Sequence, residues 1–587
     1  MRSIRYLLLT LVLASAVYAK GPLKIDYTVT LADPSMQRFH VLTVIKNIDQ
    51  KELTLSLPTW APGWYTVENY YKNVLRFRIA DASGRVLRMH MTRKQTWTVN
   101  TTGIREIHVD YDYQATVLAL NQAKITNDFA FFQGIELFLQ PEGHRDEPST
   151  VRFAIPAGWK LISALKETND PMIFTADNYD VLVDAPTEMG RFDVTKYEVE
   201  GKPHYFVSNP AGAWSQDKAN EFVGMMSKVV KTDSAMFGGL PYDKYIHFYF
   251  FSPAESNASG ALEHLNSFVA FAQTPARTPD QIIGTAAHEY FHLWNVKRIR
   301  PAEMWPYDYS RENETPLLWV SEGFTNYYGV VSRYRAGLLA PQQFLDQAAG
   351  AASGIENTEA KNYISPANSS VSTWVGYDSP TAFGISYYTQ GQNLGALLDL
   401  SIRNDSNGSS SLDDVMRGLF ADNYKRGRGF TTEDMIAEIK RFTNKDYHEF
   451  YDKYVWGTDM PDYDRIFGYA GYRVDKTRSE QPDFGFNGRF RGGLAVQSIT
   501  PGSGAAAAGL REDDVITKID GKDVLTVVND SGPLAGKRAE FTIKRGSETL
   551  TIPVKIGSRS ITSYKLVELP NASPQQLKVR QGWLRQG

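Results

Sequence analysis

The spacing of apolar residues changes twice along this chain, and this change limits the fold more than any other feature of the sequence. In residues 22–200, short runs alternate polar and apolar side chains, as KIDYTVTL does at residues 24–31, which is typical of half-buried strands. Residues 205–475 carry longer segments with the period of helices, and residues 476–560 return to short strands and turns. The sequence therefore predicts a multidomain fold with an N-terminal all-β domain, an α-rich domain and a C-terminal β-rich domain.

The length of the chain supports this division, because 587 residues are too many for one hydrophobic core. We predict a signal peptide at residues 1–19, the N-terminal β domain at 20–200, the α-rich domain at 201–475, the β-rich domain at 476–560 and a C-terminal tail at 561–587.

The amino terminus is typical of an export signal. Arg2 and Arg5 precede an apolar run at residues 7–17, and residues 17–19 offer a cleavage site before Lys20. The run is too short to span a bilayer as a helix, although an uncleaved anchor is the alternative. We therefore expect an exported chain, periplasmic or secreted, with no stable membrane insertion after cleavage of the signal.

Composition narrows the chemistry of the chain. Its 63 Lys and Arg residues against 66 Asp and Glu residues give a net charge of −3, so there is no bulk electrostatic reason to bind nucleic acid. Because the chain has no cysteine, a metal would have to be held by histidine and carboxylate side chains, and only ten histidines are available.

Two of these histidines share one face of a predicted helix. The run TPDQ at residues 278–281 offers an N-cap, a proline and a capping-box glutamine, so the run HEYFH at 288–292 lies inside the helix that it starts. His288 and His292 are four residues apart, so both imidazoles can reach one ion, and Glu289 can reach a water molecule bound to it. This HExxH pattern favours a metal site. The alternative is a surface helix with two solvated histidines.

A third ligand is offered by Glu322, which interrupts the largely apolar helix predicted at residues 317–326. A carboxylate there is costly to bury unless it is paired or bound to a metal, and two histidines with one glutamate form an open catalytic zinc site. The alternative is a pair between Glu322 and a nearby cation, Lys297 or Arg298. Asn326, one turn later, can support a metal ligand by a hydrogen bond.

Two further runs have both a functional and a structural interpretation. In GALEH at residues 260–264, Glu263 could bind the α-amino group of a substrate, or the run could be an ordinary turn before an edge strand. In SYYTQG at 386–391, Tyr387 or Tyr388 could donate a hydrogen bond to an oxyanion, or both could be packing residues.

These residues resemble the glycyl aminopeptidase family of gluzincin zinc metallopeptidases, peptidase family sixty-one. The resemblance is carried by HEYFHLWNVKRIRP at residues 288–301, WVSEGF at 319–324, LPTWAPG at 57–63 and DAPTE at 184–188, and so spans most of the mature chain. It implies a β-rich N-terminal domain, a thermolysin-like (gluzincin) catalytic domain and a C-terminal PDZ domain.

The resemblance also implies roles for individual residues. Zinc is expected on His288, His292 and Glu322, with Glu289 as the general base. More distantly, the site is similar to that of aminopeptidases with a GxMEN motif, which residues 260–264 match in part. This likeness favours Glu263 as the anchor of the substrate's amino group, with substrate binding also by Gly260 and Ala261.

The same aminopeptidases place a tyrosine three residues before a glycine. Tyr388 has this spacing to Gly391, so we prefer Tyr388 to Tyr387 as the oxyanion donor. Gln390 stands where the relatives often have lysine, which changes the local charge.

The expected function is zinc-dependent hydrolysis of peptides from the amino terminus, with small first residues such as Gly or Ala suggested by the family name. Metallo-endopeptidase or dipeptidase activity is the alternative if Glu263 points away from the cleft. A third hypothesis is a binding protein in which the PDZ domain captures partners and the metal domain is inactive.

The last domain resembles a bacterial PDZ domain. ITPGSGAAAAGL at residues 499–510 precedes DVI at 514–516 and IDG at 519–521, and Asp513 replaces a glycine that is usual there. Such domains bind a chain terminus or an extended segment by strand addition, so a peptide or protein ligand is expected. Residues 492–494 are our candidate for part of the groove.

Overall fold

The computed structural model describes residues 22–253, 260–274, 278–375, 386–490 and 492–586. The signal peptide predicted at residues 1–19 lies outside these ranges, so its cleavage and the export of the chain stay predictions. Within the same ranges, no helix combines the length and the apolar character needed to cross a membrane.

The N-terminal domain is built from three antiparallel-rich sheets, as the alternating sequence predicts. In β1, Ile25, Tyr27 and Val29 are buried while the residues between them are more exposed, which is the expected period of two. The sheet orders are β14-β15-β12-β1-β2-β7-β4, β13-β16-β10-β9-β8 and β11-β3-β6-β5. The strands are β1 (Lys24–Thr30), β2 (Arg38–Lys46), β3 (Glu52–Ser56), β4 (Val74–Asp81), β5 (Met89–Arg93), β6 (Thr96–Asn100), β7 (Glu106–Gln114), β8 (Thr116–Ala119), β9 (Gln122–Ile125), β10 (Phe129–Gln133), β11 (Gln140–Pro141), β12 (Ser149–Ala154), β13 (Lys160–Ser163), β14 (Lys166–Glu167), β15 (Ile173–Ala176) and β16 (Pro186–Gly190), with short helices α1 (Gly134–Leu137) and α2 (Tyr179–Val183).

The central domain packs helices against a five-stranded sheet of order β17-β18-β19-β21-β20. β18, β19 and β21 are parallel, whereas both outer strands run antiparallel to their neighbours. Across the described ranges, the outer edge of β20 pairs with no other strand. The strands are β17 (Asp193–Val199), β18 (Lys202–Asn209), β19 (Tyr245–Pro253), β20 (Gly260–His264) and β21 (Ser267–Thr274). The helices are α3 (Gln216–Phe237), α4 (Pro279–Phe291), α5 (Thr325–Arg335), α6 (Pro341–Glu356), α7 (Pro366–Val371), α8 (Tyr387–Asp405), α9 (Leu412–Asp422), α10 (Thr432–Thr443), α11 (His448–Tyr451) and α12 (Tyr463–Gly468).

Helix α4 begins where the sequence predicts. The Gln281 side chain accepts a hydrogen bond from the Thr278 backbone N–H at 2.9 Å, and Pro279 occupies the first helical position. The apolar face of α4, which includes Ile283 and Ala287, is buried, so the helix is fixed in the core and holds His288 at its last turn.

The PDZ domain is inserted between the two strands of a ribbon. β22 (Tyr472–Asp483) and β29 (Gly557–Glu568) pair antiparallel over their full lengths and enclose the remaining strands, which have a hydrophobic core of their own. These strands are β23 (Phe486–Phe490), β24 (Leu494–Ile499), β25 (Val515–Ile519), β26 (Lys522–Asp523), β27 (Arg538–Arg545) and β28 (Glu548–Lys555), with helices α13 (Gly504–Ala507) and α14 (Val524–Asn529). Asp513 has a φ of +68°, a left-handed conformation that explains why glycine is usual at this position.

The segment predicted as a C-terminal tail is folded onto the central domain. After β29, helix α15 (Pro574–Trp583) buries Val579 and Trp583 in the same core as the helices of the central domain. The Trp583 indole N–H donates to the Tyr327 hydroxyl on α5 at 3.1 Å. Residues at both ends of the PDZ insertion therefore belong to the central domain.

We expect Trp583→Ala to lower the free energy of unfolding of the central domain by about 3–5 kcal/mol, because it empties a large buried site. Leu577→Ala on the same helix is the control, since Leu577 is 42% exposed and its truncation should change stability by no more than about 0.5 kcal/mol. Denaturant unfolding of the full chain measures both, and equal stabilities of the two variants would show that α15 is not an integral part of the domain.

Candidate active site

The two histidines of α4 and Glu322 form a cluster that could hold a metal ion. The Nε2 atoms of His288 and His292 are 2.9 Å apart, and Glu322 Oε2 lies 3.6 Å from the first and 3.2 Å from the second. The three donor atoms therefore face a common point. His292 and Glu322 are buried, so a surface helix with two solvated histidines is not what the structure has.

Backbone and side-chain contacts orient the His292 imidazole. Its Nδ1 lies 2.7 Å from the Asn295 carbonyl oxygen, which requires a proton on Nδ1 and leaves Nε2 directed at the cluster. The Asn295 side chain in turn donates to the carbonyl oxygens of Val320 and Ser321 at 2.8 and 3.2 Å. The end of α4 is thus tied to the turn that carries Glu322. No pattern in the sequence predicts this role for Asn295.

Glu322 is not paired with Lys297 or Arg298, the alternative that the sequence left open. Lys297 binds Asp184 at 2.9 Å, and the Arg298 guanidinium donates to backbone carbonyls, including that of Leu293 at 2.7 Å. The Glu322 Oε1 atom instead accepts a hydrogen bond from the Tyr65 hydroxyl at 3.1 Å.

Tyr65 belongs to the N-terminal domain and is not among the site residues predicted from the sequence. It follows the run at 57–63 that carried part of the family resemblance, but no local pattern connects it with residue 322. Burial and the nearby charges of Glu322 and Glu263 raise the pKa of Tyr65 well above its ordinary value, so its hydroxyl keeps the proton that it donates.

The site concentrates buried acidic groups. Oxygen atoms of Glu263 and Glu289 and a nitrogen of His292 lie within 4.8 Å of one another, beside the cluster with Glu322. Burial raises the pKa of Glu289 well above its ordinary value, and the charges of Glu263 and Glu322 raise it further. Burial opposes a charge on His292, but Glu322 and Glu263 raise the pKa of its imidazole to about 10. Excess negative charge is therefore costly in this site, and a bound cation would offset that cost.

Glu322 itself remains ionised. Burial alone would raise its pKa, but the charge of His292 and hydrogen bonds from His288 and His292 lower the pKa below its ordinary value. Burial and the charge of His292 lower the pKa of His288 below its ordinary value, and Asn326, predicted to support a ligand, offsets part of this shift.

Glu263 lies on the edge strand β20 and points into the site. Its side chain is 3% exposed, and among the described residues its Oε1 atom has no hydrogen-bond partner. The structure therefore brings Glu263 next to Glu289 and the metal cluster, as an amine anchor requires. Gly260 and Ala261 form the start of the same strand, where their backbone lies on the edge of the sheet.

Asp184 fixes the end of this edge strand. It accepts hydrogen bonds from the Leu265 backbone N–H at 2.6 Å and from Lys297 at 2.9 Å, and His264 Nδ1 is 3.2 Å away. The sequence predicts no role for the run at 184–188 beyond its part in the family resemblance. The structure shows that Asp184 holds the end of β20 and Lys297 in place.

Glu322 lies in a π-helical turn, Trp319–Phe324, that packs against α8 through two glycines. A Cβ atom on Gly391 would lie 2.1 Å from the Trp319 carbonyl oxygen, and one on Gly323 would lie 2.2 Å from the Gly391 Cα. The glycine three residues after Tyr388 is therefore needed for the close approach of the two elements that carry Glu322 and Tyr388.

The two neighbouring tyrosines occupy different positions. The Tyr388 ring lies beside the His288 ring, with 6.2 Å between their centroids. The Tyr387 hydroxyl is 3.0 Å from the Thr373 hydroxyl. This arrangement favours Tyr388 over Tyr387 as the group nearer to the metal cluster.

In the PDZ domain, the structure does not place residues 492–494 along a sheet edge. Gly492 and Gly493 lie between β23 and β24, and the Leu494 side chain faces the PDZ core. Among the described strands, this sheet has two ends: β23, paired with β24 alone, and β28, paired with β27 alone. These two strands have an outer edge that a strand-adding ligand could meet.

Comparisons with known proteins agree with this architecture. Residues 26–191 match the Peptidase M61 N-terminal domain, residues 281–394 match M61 glycyl aminopeptidase, and residues 471–534 match the PDZ domain. No curated protein sequence gives a significant match.

Solved structures also resemble the chain. An aminopeptidase N family protein from Idiomarina loihiensis has a TM-score of 0.81 and 23% identity, covering 95% of this chain and 100% of its own, so the two share a fold. An M1 zinc metallopeptidase from Deinococcus radiodurans has a TM-score of 0.48 and 14% identity over 75% of this chain and 95% of its own. Yeast LTA4 hydrolase, solved in complex with Bestatin, has a TM-score of 0.48 and 14% identity over 76% of this chain and 71% of its own.

The catalytic-domain match and the cluster of two histidines and a glutamate define the chain as a metallopeptidase. In chain order, its three domains match the Peptidase M61 N-terminal domain, M61 glycyl aminopeptidase and the PDZ domain. The family resemblance and the three-part fold class predicted from the sequence are thereby confirmed.

We expect Gly391→Ala to destabilise the chain by about 1–3 kcal/mol and to weaken metal binding, because the added methyl group forces α8 away from the turn that carries Glu322. Gly350→Ala is the control: Gly350 lies in α6 with open space around it, and alanine there should stabilise by about 0.4–1 kcal/mol. Thermal unfolding and metal titration of both variants test this, and unchanged metal affinity in Gly391→Ala would contradict it.

Proposed function

We propose that this chain is a zinc-dependent aminopeptidase that removes single residues, such as Gly or Ala, from the amino terminus of peptides. The observation that carries the proposal is the buried Glu263 carboxylate, which faces the metal cluster with one oxygen unpaired among the described residues. A buried carboxylate in that position is matched by a cationic group of the substrate, and the α-ammonium of a peptide is such a group.

Zinc is the metal that we propose for the cluster. Two imidazole nitrogens and one carboxylate oxygen are the donor set of open catalytic zinc sites, and the buried acidic groups around them favour a divalent cation. When bound, zinc supplies a Lewis acid that lowers the pKa of a water molecule and polarises the scissile carbonyl.

The residues of the chain then have distinct roles. Glu289, adjacent to His288 and with its pKa raised by burial, accepts the proton of the attacking water and passes it to the leaving amine. Tyr388 donates a hydrogen bond to the oxyanion that forms on the carbonyl. Its position beside His288 supports this role.

Glu263 and the start of β20 hold the substrate. Glu263 accepts hydrogen bonds from the α-ammonium, which sets the first peptide bond against the cluster. The edge at Gly260 and Ala261, which pairs with no other described strand, offers backbone groups to an extended peptide. The preference for small first residues is supported by the description of the family that residues 281–394 match.

The alternatives differ in what they need from the site. Endopeptidase or dipeptidase action would be favoured if Glu263 pointed away from the cleft, whereas its side chain is grouped with Glu289 and His292. A binding protein with an inactive metal domain is disfavoured because both histidines, Glu289 and Glu322 are all present. We propose a peptide or protein ligand of the PDZ domain, bound at an end strand of its sheet, as an additional partner, and export to the periplasm as the setting.

The first test uses peptides that begin with Gly or Ala, each with a free or an acetylated amino terminus, and reads the products by mass spectrometry. We expect release of one residue from the free peptides only, and loss of this turnover in Glu289→Ala with the metal retained, because Glu289 moves protons and does not bind the ion. Equal cleavage of free and acetylated peptides would establish an endopeptidase. Turnover in purified Glu289→Ala would contradict the assigned base.

We expect Glu263→Gln to lower kcat/KM for free peptides by about 10- to 100-fold, since a hydrogen bond to a charged group contributes about 1.5–3 kcal/mol. Glu188→Gln is the matched control. Glu188 is also buried, but it accepts its hydrogen bond from Asn209, and burial raises its pKa to about 8, so the amide replaces a neutral acid at neutral pH. Equal kinetics of Glu263→Gln and the control would remove Glu263 from amine binding.

A further inference from the structure

A loop of the N-terminal domain, residues 59–65, reaches the metal cluster of the catalytic domain. Thr59 donates to the Tyr309 carbonyl oxygen through its backbone N–H at 2.8 Å and its hydroxyl at 3.0 Å. The Trp60 indole N–H donates to the Asp308 carbonyl oxygen at 2.9 Å. The loop is therefore anchored to the catalytic domain by three hydrogen bonds just before it enters the site.

Aromatic packing holds the other side of the loop. Trp374 of the catalytic domain meets the Trp60 ring edge-on with 5.1 Å between centroids, and it meets the Tyr65 ring in the same way at 5.9 Å. Tyr65 is 1% exposed, so burial and its packing on Trp374 restrict the direction of its hydroxyl.

The Tyr65 hydroxyl is directed at one oxygen of Glu322. It donates to Oε1 at 3.1 Å, while Oε2 faces the two imidazoles. With Oε1 occupied by this hydrogen bond, the carboxylate presents Oε2 to an ion at the cluster and cannot rotate without losing the bond.

The loop also meets the second acidic group of the site. Gly63 has a φ of +93°, and a Cβ atom there would lie 2.5 and 2.6 Å from the two carboxylate oxygens of Glu263. Only glycine allows the loop to come so close, because any other residue would be strained in φ and would collide with Glu263. Two residues of one loop thus contact Glu263 and Glu322.

We propose that Tyr65 is a positioning residue for the metal ligand Glu322, so that docking of the N-terminal domain completes the metal centre of the catalytic domain. This inference rests on the metal site of the proposed function. It assigns to the N-terminal domain a part in binding the ion, in addition to any part in folding.

The test is Tyr65→Phe in the full mature chain, with zinc affinity measured by competition with a chelator. We expect a loss of about 10- to 100-fold in affinity, the size found when a group that orients a metal ligand is removed. Tyr27→Phe is the matched control, since its buried hydroxyl in the same domain donates to the Leu139 carbonyl oxygen at 2.6 Å. The control should bind zinc as the wild type does.

A double-mutant cycle separates positioning from general destabilisation. In the Glu322→Gln background, Tyr65→Phe should cause little further loss of zinc affinity, because the carboxylate that it orients is gone. Equal losses of zinc affinity in the two backgrounds, or wild-type zinc affinity in Tyr65→Phe, would overturn the role of Tyr65 and leave the proposed function standing. A wild-type chain that binds no zinc would overturn both this inference and the proposed function.

Discussion

Burial of acidic groups is the constraint on which the rest of this site depends. Glu263, Glu289 and Glu322 lie within one pocket around His292, and their mutual repulsion and desolvation would destabilise the fold if nothing offset them. Each is offset differently. The imidazoles stabilise the ionised form of Glu322, whereas burial raises the pKa of Glu289 and so favours its neutral form. Glu263 has one oxygen without a hydrogen-bond partner among the described residues. A divalent cation and a substrate ammonium would together complete the balance.

The scaffold holds this charge arrangement by close backbone contact. Asn295 joins the end of α4 to the π-helical turn, and the glycines at 323 and 391 let α8 pack directly on that turn. Few degrees of freedom remain for the ligands, because each is fixed by an element whose backbone is itself packed. This arrangement requires the π-helical turn at residues 319–324, because a regular α-helix there would change the direction of the Glu322 side chain.

Local patterns predicted one part of this structure and could not predict another. The i and i+4 spacing of His288 and His292 and the capping run at 278–281 act within one helix, so sequence alone is enough to predict that helix and its start. Tyr65 acts on Glu322 across 257 positions of the chain, and no periodicity connects such distant residues. The same holds for Asp184 with Lys297. Glu263 is an intermediate case. Its run could be interpreted from the sequence as a substrate-binding segment or as an ordinary turn. Only the folded sheet, with β20 at its edge, shows that the Glu263 side chain lies beside the metal cluster.

For the PDZ domain, too, local sequence patterns predict the domain itself but not how it is connected to the rest of the chain. Its motifs at 499–521 are local, and they predicted a domain at the end of the chain. The ribbon that carries it pairs residues 472–483 with 557–568, and this pairing can be recognised only when both strands are seen together. Because α15 then packs Trp583 against α5, the helix that follows Glu322, both ends of the insertion are bound to the catalytic domain. The PDZ domain is therefore held by two covalent connections, and its strand β23 is presented from a paired ribbon and not from a single flexible linker.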